Sequence, residues 1–374
     1  MKRVQILFLI DSLKPGGAQQ QLLELIKGLN KDLFKIYVIT WSPGNFYDEL
    51  KVMEYVELVE LHRRSKLDIS PLFQAISLIK KNKINIIHTY LDAACFYGAI
   101  CKIFYRNLIF VSTERSSFKK LTLLQRVYKP VVHAISDIVI ANSNAGIKYL
   151  EKLGVNNKKT ILIRNGINLS RFGENGNDSH GTDLPINFLP RARIILMVGR
   201  IAKLKNQMGV LEAYNKSRIK DQFNLLFVGE NNSNYAQSIS NYIRTNKLSD
   251  RVLIINAKHN IVEYYKASDL IVMFSDYEGS PNVVMEAMAS ARTVVSSNVG
   301  DVSYYINNRF GWILDVGNVE QLKDTFNQIA TYTSDDLLKL GEEARNFLIS
   351  LDCGVDIMVE LHKETYRRLL KTKI

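Results

Sequence analysis

An α/β protein of two doubly wound parallel-sheet domains is what this chain predicts, and three features carry that expectation. It has 374 residues, more than one hydrophobic core commonly serves, so two domains are expected. Short β-branched and aliphatic runs recur between longer segments of helical spacing. A stretch rich in Gly, Asn, Asp and Ser, GENGNDSHGTDLP at 173–185, separates one set of runs from the next and reads as a linker.

In the first half the runs are VQILFLI (4–10), KIYVITW (35–41), INIIHTY (84–90), LIFVSTE (108–114), DIVIANS (137–143) and TILIRNG (160–166). In the second they are RIILMVGR (193–200), NLLFVGE (224–230), RVLIINA (251–257), DLIVMFS (269–275) and RTVVSSN (292–298). They are continuously apolar rather than alternating, as strands buried on both faces of a parallel sheet are, with helices as crossovers. The division expected is a first domain over 1–172, a linker over 173–189 and a second domain over 190–355. Two such domains would leave a cleft, with ligands at the carboxyl ends of the strands.

With 47% hydrophobic and 23% charged residues the chain reads as globular. Its charge is +12, unevenly placed: residues 1–185 hold 26 basic against 16 acidic residues, whereas 186–374 hold 23 against 21. A positive first half favours an anionic partner: nucleic acid, a phosphate-bearing substrate or an acidic membrane surface. No groove-reading or base-stacking motif accompanies the charge, which argues against nucleic acid. Cys95, Cys101 and Cys353 form no CxxC pair, so a reduced, cytoplasmic setting is expected. The opening MKRVQILFLIDS stops being apolar at Asp11 and reads as a first strand rather than a signal peptide. No uncharged apolar run reaches membrane-spanning length.

Three stretches after strands could carry chemistry. In DSLKPGGAQQQL (11–22), Gly16 and Gly17 would let backbone approach a ligand, although a plain tight turn uses Gly-Gly equally well. It is not a GxGxxG dinucleotide fingerprint. In VGRIAKLKNQ (198–207), Arg200 ends a strand and Lys205 follows five residues on; both could hold a diphosphate by charge-assisted hydrogen bonds, or be two solvated cations. In SDYEGSPNVVMEAMA (275–289), Ser280 is a good N-cap and Pro281 a favoured first helical residue, leaving N–H groups near Asn282 and Val283 for a phosphate. Glu278 precedes that helix start, and Glu286 lies about 7 to 8 Å along it from Pro281, on the flank of a stripe of Val283, Val284, Ala287, Met288 and Ala291. A capping acid and a surface acid would give the same spacing.

Taken in order, GGAQ, ANS (141–143), RNGIN (164–168), VGR with its later lysine, and E-x7-E inside EGSPNVVMEAMA resemble glycosyltransferase family 4 over nearly the whole chain. The resemblance implies the GT-B architecture, two facing Rossmann-like domains with an interdomain cleft, and retaining transfer of a sugar from a nucleotide diphosphate sugar. It implies Arg200 and Lys205 on the donor diphosphate, Glu278 on hydroxyls of the transferred sugar, and Glu286 on the ribose. Backbone around Ser280, Pro281, Asn282 and Val283 would meet the distal phosphate and sugar, and Ala257, Lys258 and His259 the base. Gly16 and Gly17 would line the acceptor side, and the last helix, about 356–374, would return to the first domain. The acceptor implied is a glycan or a lipid-linked sugar in polysaccharide or glycolipid assembly.

The chemistry agrees with this assignment: breaking a sugar–phosphate bond leaves charge on the diphosphate, which fixed positive groups must stabilise. No Asp-x-Asp triplet occurs, so neither a metal nor any other cofactor is expected. One departure from the pattern is Glu114-Arg115, in STERSS, where many relatives carry a histidine. His88, in IIHTY, could supply an acceptor-side imidazole or be a packed polar residue. Residues 115–135 mix Lys119, Lys120, Arg126 and Lys129 with Phe118, Leu121, Leu123, Leu124 and Val127, and could lie on an anionic membrane surface or pack on their own sheet. A nucleotide-sugar epimerase and a non-catalytic nucleotide-sugar-binding subunit are the alternative functions.

Overall fold

Continuous apolar runs become parallel strands in the computed structural model, which describes residues 3–44, 46–63, 65, 68–115, 122–173 and 192–372. Apart from Gly173, the linker expected over 173–189 lies outside the described residues. The chain divides into two compact units, Met1–Gly166 with Gly354–Ile374, and Ile167–Cys353.

Among the described residues the first unit holds β1 (Val4–Leu9), β2 (Phe34–Thr40), β3 (Val56–Glu60), β4 (Ile86–Thr89), β5 (Ile109–Glu114), β6 (Ile138–Ala141) and β7 (Thr160–Leu162). They form one parallel sheet in the order β3-β2-β1-β4-β5-β6-β7, with Ile6 set between Ile36 and Ile86. Alternate residues of β1 serve different cores: Ile6 and Phe8 pack on one face, Leu7 and Leu9 on the other. Burial on both faces explains why the run is apolar without a break.

Helix Val355–Lys371 belongs to this first unit and lies on helix Gly17–Gly28. The approach is close enough that a Cβ on Gly28 would fall 2.4 Å from Val359 Cγ2.

Among the described residues the second unit holds β8 (Arg193–Val198), β9 (Phe223–Val228), β10 (Val252–Ile255), β11 (Leu270–Met273), β12 (Thr293–Ser297) and β13 (Gly311–Leu314), in the order β10-β9-β8-β11-β12-β13. Ile194 and Leu196 face one core, Ile195 and Met197 the other. In both sheets the chain starts at the centre, winds outward one way, then returns to wind the other way. That reversal puts a topological switch point between β1 and β4, and a second between β8 and β11, where open α/β sheets place ligands.

Candidate active site

The switch point of the second sheet gathers the residues expected to grip a donor. The chain leaves β8 through Gly199, at φ +145°, into Arg200. A side chain on Gly229, at the end of the neighbouring β9, would put a Cβ 2.1 Å from the Gly199 carbonyl oxygen, so only glycine lets the two turns meet. Gln207 pins the turn: its Nε2 donates to the Arg200 carbonyl at 2.9 Å and its Oε1 accepts from Ala202 N–H at 3.3 Å. Asn206, left-handed at φ 55°, caps helix Gln207–Lys216 by accepting from Gly209 N–H at 3.2 Å.

These turns are tied to the one after β11. Asp276 N–H donates to the Leu204 carbonyl at 2.9 Å, and Lys205 Nζ forms an ion pair with Glu278 Oε1. Both side chains of that pair are largely buried, whereas the Arg200 side chain is 68% exposed, its Nε 4.0 Å from a Glu230 carboxylate oxygen. The loop after β12 supports Glu278 from below. Gly300, at φ +57°, sits so close that a Cβ would lie 2.1 Å from the Gly279 carbonyl, and Asp301 N–H donates to that carbonyl at 3.0 Å.

The helix that follows differs from the expectation in two respects. It runs Asn282–Ala289 with Pro281 rather than Ser280 at the cap, and the cap makes no side-chain hydrogen bond. Ser280 Oγ instead lies 3.1 Å from the Tyr305 hydroxyl, both groups buried. Asn282 and Val283, half-buried, supply the first-turn N–H groups, and the helix dipole favours an anion there.

The second correction concerns Glu286, which is buried at 5% exposure rather than set on an open flank. Helices Leu169–Phe172, Ile261–Lys266 and Ser334–Ser350 all pack on this helix and close over the flank. Tyr265 OH donates to Glu286 Oε2 at 2.8 Å. Burial pushes the Glu286 carboxyl up from its ordinary range, opposed by that hydrogen bond and by the Arg171 guanidinium. Arg171 also donates to the His259 carbonyl at 3.1 Å. Ala257, Lys258 and His259 follow β10, the first two half-buried and His259 exposed. Tyr265, Arg171, Gln207 and Tyr305 escaped the sequence reading because each acts through another residue. The all-round apolar make-up of NVVMEAMA was the available sign that Glu286 would be buried.

In the first unit the proposed acceptor-side residues separate into two groups. Gly16 caps and Gly17 opens helix Gly17–Gly28 just after β1, with Tyr47 OH donating to the Gly16 carbonyl at 3.4 Å. Arg115, just after β5, donates from Nη2 to Asn165 Oδ1 at 2.7 Å and lies over the Tyr90 ring, 5.4 Å from its centroid. Asn165 belongs to RNGIN, and Gln21 holds the same segment by bonding both the N–H and the carbonyl of Gly166 at 2.9 Å.

His88 and Glu114, by contrast, point into the unit. His88 is fully buried in β4, its Nδ1 2.6 Å from the Tyr366 hydroxyl on the last helix, and burial pushes its pKa well down. Glu114 is buried against Lys129 Nζ at 2.8 Å, with His133 Nε2 at 3.6 Å, and Lys129 also reaches Asp92 at 3.1 Å. Burial alone would raise the Glu114 pKa; His133 and Lys129 outweigh it and hold it at about 2. Both are packed polar residues where the sequence left an acceptor-side role open. Among the described residues, no cluster of three or more His, Cys, Asp or Glu is placed to hold a metal ion.

Residues 185–347 match the family described as Glycosyl transferases group 1, and residues 15–171 match Glycosyltransferase Family 4. The chain is 24% identical over 369 residues to the UDP-Gal:alpha-D-GlcNAc-diphosphoundecaprenol alpha-1,3-galactosyltransferase of Escherichia coli, covering 93% of this chain and 92% of that one. It is 23% identical over 313 residues to the capsular polysaccharide biosynthesis glycosyltransferase CapH of Staphylococcus aureus, covering 80% and 83%. The fold is shared with Anabaena HepE solved with UDP and glucose, at a TM-score of 0.83 and 18% identity over 98% of this chain and all of that one. Two Rossmann-like units of this topology, matched in order along the chain, make it a member of the group 1, family 4 glycosyltransferases of GT-B fold.

Proposed function

We propose that the protein is a retaining, metal-independent glycosyltransferase that moves a sugar from a nucleotide diphosphate sugar to a lipid-linked or glycan acceptor during cell-surface polysaccharide assembly. The observation that carries this reading is the Lys205–Glu278 pair at the β8–β11 switch point, one strand turn from Arg200 and beside the Asn282–Ala289 helix start. An ammonium has three donors, so Lys205 can keep Glu278 and still reach phosphate oxygens.

In this reading Arg200, Lys205 and the first-turn N–H groups hold the diphosphate, Glu278 positions the sugar, and Glu286 takes the ribose. The 257–259 segment receives the base. The bond from the anomeric carbon to the phosphate oxygen breaks, and its electron pair stays on that oxygen. The acceptor hydroxyl attacks from the same face, forming the new glycosidic bond, and its proton passes to the departing phosphate. Preorganised positive groups aimed at the oxygen where charge develops do the catalytic work, each charged hydrogen bond contributing roughly 1.5 to 3 kcal/mol. Gly16, Gly17 and Arg115, at strand ends of the first sheet, belong to the acceptor side.

Relatives named for undecaprenyl-linked acceptors and capsule synthesis support the acceptor class, and the UDP-bound neighbour supports the donor class. No helix among the described residues is long and apolar enough to cross a membrane; a peripheral location on the cytoplasmic face is the one proposed. Incubation with uridine, guanosine and adenosine diphosphate sugars and a polyprenyl-diphosphate sugar tests the reading. Transfer that Glu278→Ala abolishes is expected. Conversion of the free nucleotide sugar without acceptor would make the protein an epimerase instead.

A further inference from the structure

Helices Ser70–Asn82, Asp92–Phe104 and Leu123–Ile135 lie side by side on one face of the first sheet. Their inner sides fill the core with Leu72, Ala75, Ala94 and Val132. Their outer sides are not polar, as an ordinary solvated helix face would be. Leu123, Leu124, Val127 and Val131 are 80%, 72%, 65% and 54% exposed, and Phe73 and Phe96 on the neighbouring helices are 62% and 42% exposed.

This face is held rigidly outward. A capping box fixes the first turn of the third helix: Thr122 Oγ1 accepts from Gln125 N–H at 3.2 Å and Gln125 Oε1 accepts from Thr122 N–H at 3.0 Å. Gln125 Nε2 donates to Asp92 at 3.0 Å, and Lys129 locks the inner side to Glu114 and Asp92. The Phe96 ring meets Tyr128 edge-on at 5.8 Å, joining the second helix to the third. A contiguous apolar surface of this kind marks an interaction site.

Charge identifies the occupant. The three helices carry Lys80, Lys81, Lys102, Arg126 and Lys129 but one acid, Asp92, and that acid is already paired with Lys129. Lys80, Lys81 and Arg126 are exposed. A second copy of this chain would bring the same positive face against itself, and a basic partner is excluded for the same reason. Apolar side chains among unneutralised cations suit the headgroup–acyl boundary of an anionic bilayer.

We infer that this three-helix face is a monotopic docking surface for anionic membrane. The inference rests on the lipid-linked acceptor proposed above. The third helix follows β5, so Leu123 and Leu124 in its first turn stand at the carboxyl end of the sheet, the end that also holds Gly17 and Arg115. A bilayer on this face would bring an acceptor's headgroup to that end.

The test is sedimentation of the full-length chain with vesicles of equal parts phosphatidylglycerol and phosphatidylcholine, and with phosphatidylcholine alone. Binding to the anionic vesicles only is expected, with a loss of about tenfold or more in the double variant Leu124→Gln, Val127→Gln. That variant should retain its thermal midpoint and its transfer to a water-soluble acceptor lacking the lipid. Lys205→Ala, in contrast, should lose transfer and keep vesicle binding, which separates failure of the docking surface from failure of the proposed function. The inference is overturned if the wild type ignores anionic vesicles, if the double variant binds them equally, or if the substitutions instead dissociate a dimer in ultracentrifugation.

Discussion

Tyr265 donates its hydroxyl to Glu286 Oε2 at 2.8 Å, and both side chains are buried. The bond aims one carboxylate oxygen back into the protein and so fixes the direction of the other. Tyr265→Phe leaves a buried carboxylate short of a partner, at a cost of about 1 to 3 kcal/mol. Thermal unfolding should show a lowered midpoint, and kinetics should show a raised donor KM with kcat changed less. An unchanged KM would mean that Glu286 does not touch the donor.

The Glu114–Lys129 pair answers a different question, since neither residue takes part in the proposed transfer. Lys129→Met strands a buried carboxylate, for which a loss of about 3 to 5 kcal/mol is expected. Adding Glu114→Gln should restore much of it, as a denaturant titration of both variants would show. The acid response follows from the depressed pKa of Glu114, ordinarily 4.5 and held at about 2. Its stabilisation is present above the unfolded value and is lost as pH falls from 4.5 toward 2.

His362 titrates in a higher window. Burial, chiefly, lowers its pKa from 6.5 to about 4; its Nδ1 lies 2.8 Å from the Met358 carbonyl, and its ring centroid is 5.7 Å from that of His88. The unfolded chain binds the proton first, so stability is full above pH 6.5 and falls as pH drops toward 4. His362→Gln should flatten the fall in thermal midpoint across that window. A slope as steep as the wild type's would assign the acid sensitivity elsewhere.

How much the sequence disclosed depends on where each element lies. β1 and β8, buried on both faces, read as unbroken apolar runs and were found. β3 and β13 were not: each is a sheet edge, β3 spelling VELVE with its glutamates exposed, and β13 only four residues long. Lys205 and Glu278 were legible because each follows a central strand at the point where the winding reverses. Glu286 was found by spacing, but its burial was not, because that depends on three helices distant in sequence. Lys129 read as one cation of a basic segment, and only the fold supplies Glu114 beneath it. The same fold leaves Leu123, Leu124 and Val127 outside, and sequence alone could not separate a packed stripe from an exposed one. Phe118, Lys119, Lys120 and Leu121 of that segment lie outside the described residues.

The donor grip at β8 and β11 is decided by calorimetric titration of nucleoside diphosphates and their sugars into wild type and Lys205→Ala. Removing one charged hydrogen-bond donor worth roughly 1.5 to 3 kcal/mol should weaken binding about ten- to hundredfold. A wild type that binds no nucleoside diphosphate, or a Lys205→Ala variant that binds one as tightly, would contradict the assignment.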